Sequence, residues 1–156
     1  MGKKTDKFST ELRNLLADCA APAHEIHVLG KKMDRIHVGL TKLEKMHNQR
    51  VKEIDPGATT QFEKQIAADR TIRAIDAKTD ELNNLLMDLM LKKREAKKTL
   101  KTTGTKVAKK AAEFRRFLEK KAKSRNPFKS KKSLPGALKF LDTVDGFVDD
   151  IARMVR

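Results

Sequence analysis

Tryptophan and tyrosine are absent from this 156-residue sequence, and cysteine occurs once, proline four times and glycine seven times. So few prolines and glycines argue against an all-β fold built from many short strands and turns. The single cysteine, Cys19, excludes an internal disulfide framework and a cysteine-rich metal site. No apolar run approaches the roughly 18 residues of a membrane-spanning helix, and the N-terminal sequence MGKKTDKFSTE lacks the apolar stretch of a signal peptide. We therefore expect a cytoplasmic or nucleic-acid-associated protein without a membrane-spanning segment.

Basic charge is abundant and confined to one part of the chain. The sequence has 36 Lys and Arg against 21 Asp and Glu, a net charge of +15. The segment Lys92–Lys132 holds 18 basic and three acidic residues, whereas the rest of the chain holds 18 of each. Positive charge confined to one segment creates a local field that attracts a polyanion. The alternative interpretations of this segment are the solvated face of a long helix or a flexible basic linker. The candidate polyanion-binding residues are Lys92, Lys93, Arg94, Lys97, Lys98, Lys101, Lys106, Lys109, Lys110, Arg115, Arg116, Lys120, Lys121, Lys123, Arg125, Lys129, Lys131 and Lys132.

Two heptad runs predict long helices. Apolar spacings of four and three alternate from Phe8 to His47, and a second run extends from Ile72 to Leu100. Between Leu82 and Leu91 the apolar stripe is too wide for a two-stranded seam, so that helix needs contacts on more than one side. We expect these seams to engage protein, either partner helices or further copies of the chain. The candidate seam residues are Leu12, Leu15, Ile26, Leu29, Met33, Ile36, Leu40, Leu43, Ile72, Ile75, Leu82, Leu86 and Leu89.

Helix-breaking residues divide the chain. Pro22 predicts a kink or break within the first run, because proline removes a backbone donor and clashes with the preceding turn. Asp55-Pro56-Gly57 predicts a turn, and Thr60 with Glu63 forms a capping-box pattern. The segment 102–105 has poor helix propensity and predicts a hinge. We therefore expect a coiled-coil-like helical region over 1–123 that is basic from 92, a Pro/Ser-rich basic loop over 124–136 and an acidic amphipathic helix over 137–156.

These elements predict an all-α fold: an elongated antiparallel helical hairpin or coiled coil, with flanking helices that form a three- or four-helix bundle. The acidic final helix could fold back on the basic face, since opposite charges favour helix pairing.

No motif for catalysis or cofactor binding is present. The spacing of His24 and His27 differs from the i, i+4 spacing of a zinc-binding HExxH helix, and Cys19 has the position of a packing residue. The sequence contains no phosphate-binding GxxxxGKS loop, no GxSxG elbow and no GxGxxG. Carboxylates are spread along the predicted helices rather than converging as an acid/base pair. We expect no enzymatic activity, no metal, no cofactor and no small-molecule substrate.

The basic helix 106–123 has three possible uses. Its cations could neutralise nucleic-acid phosphates, its Phe114 and Phe117 face could enter an anionic membrane surface, or that face could pack within the bundle. Because the phenylalanines continue the heptad of Leu100 and Val107, we favour packing, with the charges left outside. The sequence therefore predicts a structural protein that self-assembles through its heptads and binds nucleic acid without sequence preference. The alternative is a coiled-coil adaptor or stalk of a secretion or trafficking machine, whose basic segment contacts an acidic protein or an anionic membrane.

Overall fold

A computed structural model describes residues 3–54, 62–123 and 134–156. These ranges form α1 (Lys3–Ile54), α2 (Phe62–Ala68), α3 (Arg70–Ala122) and α4 (Leu134–Met154), and they contain no strand. The expected all-α bundle with an antiparallel hairpin is confirmed. The predicted turn at Asp55–Gly57 and the loop residues 124–133 lie outside the described ranges. None of the described helices is both long enough and apolar enough to cross a membrane.

Helix α1 continues through Pro22, so the predicted division into two helices is wrong. Proline removes only one intrahelical hydrogen bond, and its ring lies on the apolar face of the helix. Cys19, Pro22 and Ile26 are all buried there, one helical turn apart. Contacts on both sides of the proline therefore hold the backbone in the helical conformation.

A break that the sequence patterns did not predict occurs at Asp69, between α2 and α3. The Asp69 carboxylate accepts a hydrogen bond of 2.9 Å from the backbone N–H of Ile72, which caps the start of α3. Arg50 of α1 donates to the same carboxylate at 2.8 Å. Asp69 therefore starts one helix and ties it to another.

The segment 102–105 is helical, so the predicted hinge is wrong. The hydroxyls of Thr102, Thr103 and Thr105 donate to the backbone carbonyls four residues earlier, at 2.9–3.0 Å. Gly104 is buried, and a Cβ atom at this position would lie 2.8 Å from Cγ2 of Ile151 in α4. The glycine thus allows close packing of α3 on α4 without interrupting the helix.

The chain divides into two compact units, of which unit 1 comprises Met1–Ile26 and Arg94–Arg156. Here α1 and α3 run antiparallel, because Phe8 stacks on Phe114 while Glu11, further along α1, contacts Lys110, earlier in α3. Helix α4 completes a three-helix core and begins at Leu134, three residues before the expected start, since proline is tolerated in a first helical turn. The fully buried side chains of this core are Leu12, Leu100, Val107, Phe114, Leu141 and Val144.

Unit 2 comprises His27–Lys93. Helices α1 and α3 are again antiparallel: Gly39 approaches Leu82, and Arg50 binds Asp69. A small cluster of Leu29, Ile36 and Leu89 forms the core, with Met33, Leu40, Leu82 and Leu86 partly buried against it. Several large apolar side chains of this unit stay exposed: Val38, Met46, Leu85, Met87, Met90 and Leu91.

Candidate polyanion-binding surface

The basic part of α3 presents one face away from the core of unit 1. Buried residues from Ala96 to Leu118, Gly104 included, recur every three or four residues and define the inward direction of the helix. At 100° per residue, six cations point within about 60° of the opposite direction, and so do the two carboxylates of Glu95 and Glu113. All six are exposed, and we call them the outer row: Arg94, Lys98, Lys109, Arg116, Lys120 and Lys123. With a rise of 1.5 Å per residue, the row is about 44 Å long.

The flank of α3 that faces α1 is partly neutralised. Lys110 contacts the carboxylate of Glu11 and lies 3.7 Å from that of Glu113. The hydrogen bond to Glu11 raises the pKa of Lys110, and the same bond lowers the pKa of Glu11. An open groove of about 450 Å³ lies beside this pair and is lined by Glu11, Asn14, Leu15, Lys106, Lys109, Lys110 and Glu113. The carboxylates compensate much of the positive charge of this groove.

The flank that faces α4 is neutralised in a similar way. Arg115 lies 2.7 Å from the carboxylate of Asp145 and 3.7 Å from that of Asp142. Lys97 donates a hydrogen bond of 3.0 Å to the backbone carbonyl of Arg156. The acidic helix α4 therefore forms ion pairs with the flank of the basic segment at Arg115. The outer row faces solvent.

The structure sorts the candidate cations into three groups. Exposed are Lys92, Arg94, Lys98, Lys101, Lys106, Lys109, Arg116, Lys120 and Lys123. Half-buried are Lys93, Lys97, Lys110, Arg115 and Lys121. Outside the described ranges lie Arg125, Lys129, Lys131 and Lys132.

Two further cations, which the sequence analysis missed, lie near the basic segment. Lys4 and Lys7 of α1 line a groove of about 270 Å³, whose other lining residues are Phe8, Glu11, Lys110 and Phe117. They are distant from the basic segment along the chain, so a count over consecutive residues does not include them. Antiparallel pairing of the two heptad runs is the signal that could have found them, because it places the start of α1 beside the end of α3.

The phenylalanines of the basic helix are used in packing. The rings of Phe8 and Phe114 stack with a centroid distance of 5.1 Å, and Phe117 adjoins Phe8 at 5.4 Å. Phe114 has no exposed surface, and the Lys121 ammonium lies 5.6 Å from the centre of the Phe117 ring. The apolar face of this helix thus faces the core, and its cations remain at the surface.

The seam residues lie in contacts within the chain. In unit 1, Leu12 and Ile26 belong to the core, and Leu15 packs against it. In unit 2, Ile72 and Ile75 are buried and Leu43 is half-buried, alongside the cluster around Leu29, Ile36 and Leu89. Engagement of another protein by these residues stays a prediction.

In the described part of the chain, no group of three or more His, Cys, Asp or Glu side chains could hold a metal ion. Cys19 is buried, and both burial and the nearby Asp18 raise the pKa of its thiol, so it is protonated at neutral pH. Neither protein-family models, nor curated proteins, nor solved structures give a match to this chain.

Proposed function

We propose that this protein is a non-enzymatic structural protein that binds the phosphate backbone of nucleic acid through the outer row of α3. The observation that carries the proposal is the concentration of six exposed cations on one face of one helix. A row of this kind replaces the counterions condensed on a polyanion, and their release favours binding. Lys4 and Lys7 add two further cations beside Lys110, on the flank of α3 that faces α1.

Binding without sequence preference is the expected mode. Between Lys98 and Lys109 the outward face carries Thr102 and Thr105, whose hydroxyls donate to carbonyls of their own helix. Bidentate readout of adenine typically uses Asn or Gln, and the outward face of α3 between Arg94 and Lys123 carries neither residue. Contacts to phosphates fix position without carrying sequence information.

The test is fluorescence anisotropy with a labelled DNA duplex over a salt series. An outer-row variant carries Lys109→Gln, Arg116→Gln, Lys120→Gln and Lys123→Gln. A matched control removes one arginine and three lysines that are also exposed, but in unit 2: Arg35→Gln, Lys42→Gln, Lys45→Gln and Lys52→Gln. Circular dichroism checks that both variants remain helical.

We expect the slope of log K against log salt to become shallower by about 3 to 4 in the outer-row variant, since each phosphate contact contributes about 0.9. The control should keep nearly the wild-type slope. Equal losses in the two variants would mean that net charge alone drives binding, and absence of duplex binding by the wild type would contradict the proposal.

The second candidate is a coiled-coil adaptor, and the exposed apolar side chains of unit 2 favour it. Met87, Met90 and Leu91 follow helical spacing on α3 and are each more than half exposed. A partner helix or a second copy of the chain that covers this face would complete the bundle predicted for the stretch Leu82–Leu91. Self-association would then use this face, because the chain itself already buries many of the heptad seam residues.

Two measurements discriminate between the candidates. Sedimentation of vesicles made with anionic lipid tests the membrane form of the adaptor, and analytical ultracentrifugation tests self-association. Vesicle binding without duplex binding would support the adaptor. Duplex binding that vesicles do not compete away would support the nucleic-acid proposal.

A further inference from the structure

The outer row is a rigid array, and this bears on which form of nucleic acid it fits. Five of the six cations project from helix α3, and Lys123 directly follows its last residue; buried side chains on the opposite face hold that helix against α1 and α4. The backbone positions from which these cations project are therefore fixed before binding. A duplex also has phosphates in fixed positions, whereas a single strand must lose conformational freedom to match the array.

Aromatic stacking usually compensates a single strand for that loss. Proteins that bind single strands combine a basic groove with aromatic rings on which successive bases stack. The outer row contains no aromatic residue, and Phe114 on the same helix is fully buried. Phe117 is partly buried against Phe8, with the Lys121 ammonium over its ring. The outer row itself thus offers cations without a stacking platform, and the half-buried rings of Phe8 and Phe117 line the separate groove beside Lys4 and Lys7.

Charge density favours the duplex as well. A duplex presents one phosphate for every 1.7 Å or so along its axis and releases about 0.9 counterions per contact, against about 0.7 for a single strand. The outer row is about 44 Å long, whereas one turn of the DNA duplex is about 34 Å long. Phosphates from more than one turn of a duplex therefore lie along the length of the row.

We infer that the partner of the outer row is a nucleic-acid duplex rather than a single strand. The inference rests on the proposed function, because it concerns the same surface. In this binding mode the outer row contacts the phosphate backbone of a double helix, and no base stacks on the protein.

The test compares a labelled 30-base-pair DNA duplex with one of its own strands, chosen to lack self-complementarity, using the full chain in identical buffers. For six contacts and equal affinities at 1 M salt, the two release coefficients predict that the duplex binds about 16-fold more tightly at 0.1 M salt. The expected slopes of log K against log salt are about −5 for the duplex and −4 for the strand. In the outer-row variant the preference for the duplex should shrink towards equality, and in the unit 2 control it should persist.

The outcomes separate the inference from the proposed function. If the strand binds as tightly as the duplex or more tightly, the inference is wrong and nucleic-acid binding stands. If neither probe binds, the proposed function itself is wrong. If the outer-row variant keeps the full preference for the duplex, a surface other than the outer row causes the preference, and the inference is again wrong.

Discussion

Units 1 and 2 contain parts of the same two helices, α1 and α3, but differ in how many neighbours cover them. In unit 1, α4 packs as a third helix, and Leu100, Val107 and Phe114 have no exposed surface. In unit 2, Met87 is 62% exposed and Leu91 is 58% exposed. An apolar stripe wider than one seam is therefore fully buried only where a third helix is available.

The two units also differ in charge. Unit 1 has 23 basic and 11 acidic residues, a net charge of +12, whereas unit 2 has 13 basic and ten acidic residues, a net charge of +3. The excess positive charge thus belongs to the unit with the complete core. A complete core together with excess positive charge is suited to a rigid charged surface. Because the two features occur in unit 1 and not in unit 2, mutations in each unit can test their contributions separately.

The largest effect is expected from Phe114→Ala in the core of unit 1. Phe114 is fully buried and stacks on Phe8, so truncation removes apolar burial and leaves a cavity. We expect a loss of about 3–5 kcal/mol in the free energy of unfolding, measured by urea denaturation. A loss below about 1 kcal/mol would mean that the three-helix core is looser than described.

Alanine at two helical glycines should give effects of opposite sign in the two units. In Gly104→Ala the new Cβ would lie 2.8 Å from Ile151 Cγ2, so α3 and α4 must separate slightly, at a cost of about 1–3 kcal/mol. In Gly30→Ala the nearest atom is Nζ of Lys93 at 3.9 Å, an ordinary contact. Helix propensity should then stabilise that variant by about 0.5–1 kcal/mol. The denaturant midpoints of the two variants test these expectations. Stabilisation by Gly104→Ala would contradict the close packing of α3 on α4.

The ion pair between Asp69 and Arg50 in unit 2 should make stability depend on pH. Hydrogen bonds from Arg50 and from the backbone of Ile72 lower the pKa of Asp69 below its ordinary value. A carboxylate with a lowered folded-state pKa stabilises the fold at neutral pH, and this contribution is lost as pH falls below about 4. Asp69→Ala should therefore lower the denaturation midpoint more at pH 7 than at pH 2.5. The control Asp80→Ala removes an exposed carboxylate of α3, and an equal pH effect in both variants would refute the assignment to Asp69.

The smallest effect on stability is expected from Met87→Ser in unit 2. Because Met87 is mostly exposed, its replacement should change the free energy of unfolding by no more than about 0.5 kcal/mol. If Met87 lies at a contact between copies, the variant should also weaken self-association in analytical ultracentrifugation. A destabilisation as large as that of Phe114→Ala would show that this face is buried in the folded chain.

Heptad periodicity was sufficient to predict the two long helices and the direction of their apolar faces. It could not show that Pro22 and Gly104 lie inside continuous helices, because buried contacts from other parts of the chain outweigh their low helix propensity. The break at Asp69 depends on a cap and on Arg50, which is 19 residues away in sequence.

For the candidate site, the sequence located the basic segment but could not sort its members. Lys110 and Arg115 resemble their neighbours in sequence, yet both pair with carboxylates of other helices. The outer row becomes visible only when the inward face of α3 is known. Lys4 and Lys7 join the surface only through the pairing of α1 with α3.

The most direct test of the central claim is lysine footprinting of the wild-type protein. Acetylation under limiting reagent, with and without excess DNA duplex, is read by mass spectrometry. We predict that the duplex protects Lys98, Lys109, Lys120 and Lys123, and leaves the unit 2 lysines Lys31, Lys42, Lys45 and Lys52 as reactive as before. Equal protection in both units, or protection confined to unit 2, would contradict the assignment of nucleic-acid binding to the outer row.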